Sequence, residues 1–277
     1  MQRILGGVGG TLHGRSVAAL FVLAVVGCSG HPATTPTPPP PGTWPNEPGG
    51  FRTWSDVDWS SLNPPNWAWS FGQGGNGTLT TDAIAAMSPP SVLQIKFPIG
   101  FTGTGTEPAK VYLNDPGVPR PTQLYIGLEM KVSNPWQGHS SGVNKILFLD
   151  TGATTDALVI EMFGTAPPYH LQYAAFNMGV TENHQWLMQN VTNPEFTLGV
   201  WHKIEIYCKY SATSSSNDGV VKTWLDGVLV MNYTDINWAH DGFGEQQIAP
   251  TWGGVDNTQT KTENDYYWID HIRYSRP

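Results

Sequence analysis

The chain has 277 residues, of which only 13% are charged, with 31 Gly, 23 Pro, 12 Trp and 10 Tyr. That mixture favours strands and turns over helices and suits one large all-β domain. The net charge of -8 leaves no basic stripe to displace counterions from a phosphate backbone, so no nucleic acid is expected as a partner.

At the amino terminus, Arg3 and Arg15 flank the approach to an apolar run from Val17 to Val26. The run is too short to span a bilayer as a helix and has the proportions of a signal-peptide core. It ends Val25-Val26-Gly27-Cys28-Ser29, which resembles a bacterial lipobox. The resemblance implies a signal peptide over residues 1–28, cleavage before Cys28, and a lipid on its sulfur. Such a protein sits at the outer membrane or cell surface; the alternative is an ordinary secretory signal in which Cys28 is incidental. Cys208 then stands alone in the folded part, which excludes an internal disulfide and predicts a buried, inert thiol.

Residues 29–48 are mostly Pro, Thr and Gly, including Pro38-Pro39-Pro40-Pro41. They cannot build a core and read as a polyproline II spacer, reaching about 3 Å per residue. The folded domain is expected over residues 49–277. A short helix is expected around Thr81 to Met87, with Asp82 near its start. Strand-like runs, separated by Gly, Pro, Asn and Asp, follow at Val92 to Phe97, Leu124 to Val132, Lys145 to Asp150, Leu158 to Phe163 and Tyr169 to Phe176. More occur at His202 to Tyr210, Val220 to Leu225, Val228 to Tyr233 and Tyr266 to Tyr274. Asp226-Gly227 between two of these runs predicts a type I′ hairpin turn.

Three late stretches are informative together: Gly199 to Glu205, Val221 to Gly227 and Tyr267 to Ser275. They resemble the last strands of the concanavalin A-like lectin/glucanase superfamily, and in particular bacterial jelly-roll polysaccharide lyase-like proteins. The opening Asn46 to Phe51, the stretch Trp136 to Lys145 and Pro250 to Gly254 share that resemblance. It implies a two-sheet antiparallel jelly roll with a concave groove that holds a polysaccharide.

Strand alternation sorts faces. Ile146 and Phe148 are expected in the core, with Lys145 and Leu147 toward the groove. Leu158, Ile160 and Met162 go inward, leaving Glu161 outside; Leu171, Tyr173 and Ala175 go inward, leaving His170 and Gln172 outside. Lys145, Glu161, His170 and Gln172 therefore converge if these strands are neighbours.

The resemblance implies β-elimination from a uronic-acid polymer, which needs a carboxylate neutraliser, a base and an acid. Lys145 with Gln172 and Asn144 could hold the carboxylate, and His170 could act as base. Tyr173 has the right neighbourhood but needs a bulge to reach the groove. Arg273, sharing a face of the last strand with Tyr267 and His271, is a substitute cation from elsewhere. Glu161 would repel a uronate unless protonated or paired with Lys145. A hydrolase would pair Glu161 with Glu129. A non-catalytic lectin would stack sugars on Trp136 and Trp252, or Trp186, with His139 and Asn144 at the rim. No cofactor is required; Asp270 is a candidate ligand for a structural calcium. The remaining partner expectations are a polysaccharide, the membrane through the lipid on Cys28, and a monomer.

Overall fold

The computed structural model describes residues 43–103, 106–113, 115, 119–150, 157–176, 185–213, 215–238, 242–254 and 259–277. Cys28 and the signal and spacer segments before Thr43 lie outside these residues. No described segment is helical; the chain forms strands β1 (Arg52–Val57), β2 (Trp67–Phe71), β3 (Gly77–Thr81), β4 (Ser91–Phe97), β5 (Lys110–Leu113), β6 (Gln123–Val132), β7 (Lys145–Asp150) and β8 (Ala157–Phe163). The remaining strands are β9 (His170–Phe176), β10 (Trp186–Met188), β11 (His202–Lys209), β12 (Gly219–Leu225), β13 (Val228–Ile236), β14 (Gln246–Ile248) and β15 (Asp265–Arg276).

An eight-stranded sheet runs β13-β12-β11-β6-β15-β4-β3, with β1 also paired to β15; a seven-stranded sheet runs β10-β9-β8-β7-β14-β5-β2. Every described strand pair is antiparallel. The two sheets face each other as a sandwich, the arrangement that antiparallel strands with one apolar face adopt to bury it. Ile126, Leu128 and Met130 of β6 and Ile204 and Ile206 of β11 meet Ile160, Met162, Leu171 and Leu187 of the other sheet in one core. Cys208 belongs to that core, and burial pushes its thiol pKa up, as expected of an inert cysteine. At one side the sheets are stitched together: the Asn190 amide bonds the Val230 carbonyl at 3.0 Å, and Asn190 Oδ1 accepts from the Asn232 amide at 2.9 Å.

Asp226 and Gly227 adopt φ of 52° and 81°, the left-handed pair that a type I′ turn requires. The helix expected near Thr81 is absent. Asp82 instead accepts the Ile84 amide in a two-residue side-chain turn, and the Met87 and Ser88 amides are drawn to Asp270. The end of the expected spacer is also different: Thr43 to Glu47 lie against the outward face of the eight-stranded sheet. The Asn46 amide and side chain bond both oxygens of Glu205 at 2.9 and 2.8 Å, Lys203 donates to the Thr43 carbonyl at 2.9 Å, and Glu47 pairs with Arg273 at 3.0 Å. Trp44 packs where Gly127 has no side chain; a Cβ there would come within 2.4 Å of the indole.

Two bulges decide which residues face the site. In β7 the register with β8 slips between Lys145 and Leu147, so Ile146 and Leu147 both join the core and the alternation restarts. Phe148 consequently turns outward, against Val159 and Ala174, which reverses the faces expected for Leu147 and Phe148. In β15 the slip lies between Ile269 and His271; Tyr267, Ile269, Ile272 and Tyr274 are core. Arg273 and His271 therefore do not share a face with Tyr267.

Candidate active site

On the outward face of the seven-stranded sheet, Lys145 of β7, Glu161 of β8, Gln172 of β9 and Met188 of β10 are consecutive cross-strand partners. Partners in register project to the same side, so this row brings together an ammonium, a carboxyl and an amide. His170, two residues from Gln172, shares the face and pairs with Phe163. The expected convergence of Lys145, Glu161, His170 and Gln172 is therefore present. Lys145 reaches it through the bulge at Ile146, which keeps its side chain outward while Leu147 turns in.

Glu161 is fully buried although it faces away from the core. Its Oε1 accepts the Gln172 amide hydrogen at 2.8 Å, and Oε2 meets no hydrogen-bond partner. Burial pushes the Glu161 carboxyl up to about 7, against the opposing pull of Lys145 and Gln172. Burial lowers the Lys145 ammonium in turn, and Glu161 and Glu107 partly restore it. His170 Nδ1 lies 3.1 Å from the Pro194 carbonyl oxygen. A carbonyl only accepts, so Nδ1 carries the hydrogen, and in the neutral imidazole the lone pair is on Nε2.

A neighbouring row on the same face holds a residue that sequence reasoning passed over, Tyr112. Phe148 pairs with Gln247 of β14, and Gln247 with Tyr112 of β5, placing Tyr112 on the same outward face. The signal was slight: Val111 and Leu113 are both core, so a four-residue strand turns Tyr112 outward. At the opposite edge Trp186 and Met188 flank the core residue Leu187 and pair with Ala174 and Gln172. They are 46% and 53% exposed, so Trp186 is the indole that faces solvent beside the row.

Other expected site residues lie elsewhere. Tyr173 is fully buried, its hydroxyl 2.6 Å from Thr223 of the opposite sheet, because no bulge in β9 turns it outward. Trp136 and Trp252 are buried rather than platforms. With Phe97 they surround the Lys261 ammonium, at 3.7 Å from the Trp136 ring and 4.5 Å from the Trp252 ring, while Lys261 bonds Asp265 at 2.5 Å. Desolvation lowers the Lys261 pKa to about 8, with Asp265 opposing. The indoles serve a buried cation, an arrangement that attraction to the ring faces stabilises.

His139 is buried edge-on to Trp252 at 4.9 Å. Asn144 is a buried hub: its Oδ1 accepts from Trp136 Nε1 at 3.1 Å, and its amide donates to the carbonyls of Gly142, Met162 and Gly164. Neither contributes to a rim.

Arg273 belongs to the other sheet, where Glu47 and Asp56 neutralise it at 3.0 and 2.6 Å. Glu129 faces outward from that sheet too, paired with Lys203 at 3.3 Å. The whole core lies between it and Glu161, so these two carboxyls cannot flank one glycosidic bond as a hydrolase requires. Asp270 is fully buried with its oxygens on backbone amides. Those neighbours are donors rather than the additional oxygen ligands a calcium ion needs, and no cluster of three or more metal-ligating His, Cys, Asp or Glu occurs among the described residues.

No family model and no curated protein matches the chain. Among solved structures, the chain is similar to the alginate lyase Aly36B, with TM-score 0.54 and 14% identity, covering 80% of this chain and 96% of that one. It is similar also to a variant of that lyase in complex with an alginate tetrasaccharide, with TM-score 0.50 and 14% identity over 67% of this chain and 81% of that one. An endo-β-1,4-glucuronan lyase from the fungus Trichoderma reesei follows at TM-score 0.49 and 14% identity, covering 82% and 96%. The chain thus has the jelly-roll β-sandwich fold of the concanavalin A-like type, the fold of this alginate lyase.

Proposed function

We propose that the protein is a polysaccharide lyase that cleaves a uronic-acid polymer by β-elimination. The observation that carries this reading is the in-register row Lys145, Glu161 and Gln172 with His170 on the same face. Structural similarity to lyases of alginate supports it at the level of fold.

In this reading Lys145 and Gln172 bind the uronate carboxylate and draw charge from C5, which acidifies its hydrogen. Nε2 of His170, whose Nδ1 hydrogen is committed to Pro194, takes the C5 proton. The C4–O4 bond breaks as the C4=C5 double bond forms, and His170 returns the proton to the leaving oxygen. Trp186 supplies a stacking face for a neighbouring sugar. We further propose that the polymer is met at the bacterial surface, with Cys28 lipidated; loss of lipid labelling in Cys28→Ser tests that part.

Incubation with alginate, glucuronan and glycosaminoglycans, followed by unsaturated-uronate absorbance, tests the activity. Product with one polymer, lost in Lys145→Ala, supports the lyase. Binding that depends on Trp186 but yields no product with any polymer replaces it with a lectin.

A further inference from the structure

A uronate bound beside Lys145 brings a second carboxylate to a site that already contains Glu161. The geometry leaves Glu161 little freedom to avoid it. Glu161 is fully buried, its Oε1 is taken by Gln172 at 2.8 Å, and its Oε2 meets no hydrogen-bond partner. Its cross-strand neighbours are Lys145 and Gln172, one from each flanking strand. One ammonium facing two carboxylates in a desolvated site is strongly disfavoured, whereas one ammonium, one neutral acid and one carboxylate is not.

Resting on the lyase reading, we propose that Glu161 senses the substrate's charge: binding of a uronate is coupled to uptake of one proton by Glu161, which leaves the Lys145 ammonium facing a single carboxylate, that of the uronate. The proton comes from solvent, and no covalent bond other than O–H forms. Glu161 thus becomes a recognition group for anionic sugars instead of an obstacle to them. It distinguishes a free uronate from its methyl ester, which brings no charge and drives no uptake.

Among the described residues, the groups around Glu161 are few. Lys145 faces it from β7, His170 lies on its face from β9, and Tyr267 feels its charge from β15 beneath; Glu107 acts on Lys145. Gln172 and Gln247 are uncharged. Burial has already brought Glu161 to about 7, so protonation near neutral pH requires only a modest further rise. The sign follows from linkage. The protonated form binds better, so affinity is greatest below about 7 and falls by up to about tenfold per pH unit above it, until the pKa of the complex is passed.

The test is calorimetric titration of the full chain with a uronate tetrasaccharide and with its methyl ester, at about pH 8, in buffers of differing ionisation enthalpy. The expected result is uptake of about one proton with the free acid and none with the ester. In Glu161→Gln the uptake disappears, binding of the acid persists, and its affinity changes less than about twofold between pH 6 and 9. Binding of the acid without buffer dependence overturns the proposal, as does uptake that survives in Glu161→Gln, which assigns the proton to Lys145 or His170. The wild-type measurement decides even where the variant fails to fold. Product formation without proton uptake overturns this inference and leaves the lyase; absence of both binding and product for every uronate overturns both.

Discussion

Residues that look alike in the sequence separate sharply once their partners are known. His170→Ala is expected to lower the rate of unsaturated product formation by about 100-fold or more, measured by absorbance, with the thermal midpoint little changed. Asn144→Ala should do the reverse. Its amide serves three carbonyls and its oxygen holds the Trp136 indole, so its loss costs about 1–3 kcal/mol in urea unfolding while activity per folded molecule persists. The two kinds of indole divide in the same way. Trp186→Ala is expected to weaken oligosaccharide affinity without loss of stability, and Trp136→Ala to destabilise by about 3 kcal/mol or more without a specific effect on affinity. An affinity loss confined to the Trp136 variant would exchange these roles.

Among the elements, long alternating strands were legible because each carries a full apolar face. Lys145 to Asp150 was located to the residue, and the boundaries of β4, β6, β8, β9 and β11 lie within one residue of expectation. Strands β1, β2, β3, β5, β10 and β14 escaped notice; in the last three, three or four residues hold too little alternation, and Gln246-Gln247-Ile248 carries hardly any. Bulges were equally invisible: nothing in Lys145-Ile146-Leu147 marks the slip that sends Phe148 outward. Trp136 and Trp252 stand beside polar, glycine-rich loops and so suggested exposure, whereas Lys261, remote in sequence, is what draws them inward.

The segment Thr43 to Glu47 was hidden for a related reason, since its proline- and threonine-rich approach resembles spacer throughout. A chain that begins at Phe51 would leave Glu205, Lys203 and Arg273 without the partners they have on that segment. Each part-buried hydrogen bond lost with the segment costs about 0.5–1.5 kcal/mol, so the truncated chain is expected to show a lower thermal midpoint, by calorimetry, than one beginning at Thr43. Equal midpoints would make the segment a passive tail.

For the molecule as a whole, two buried carboxyls on opposite faces bias stability in the same direction. Burial raises Glu129 to about 7, opposed by Lys203, just as it raises Glu161. A carboxyl whose folded pKa exceeds its unfolded value contributes stability that is complete below about pH 4 and is lost as pH rises through about 7. Urea unfolding across that window should therefore show a declining contribution, and Glu129→Gln should flatten part of it; an unchanged slope would mean that Glu129 is not held neutral.

The docking of Thr43 to Glu47 also sets a direction. That segment meets the eight-stranded sheet from outside, whereas Lys145, Glu161 and Gln172 look out from the seven-stranded sheet. The described chain therefore joins the sandwich at the face opposite the row. In the proposed lipid-anchored lyase, the row that would meet the polymer therefore lies on the face opposite the one where the chain joins the sandwich.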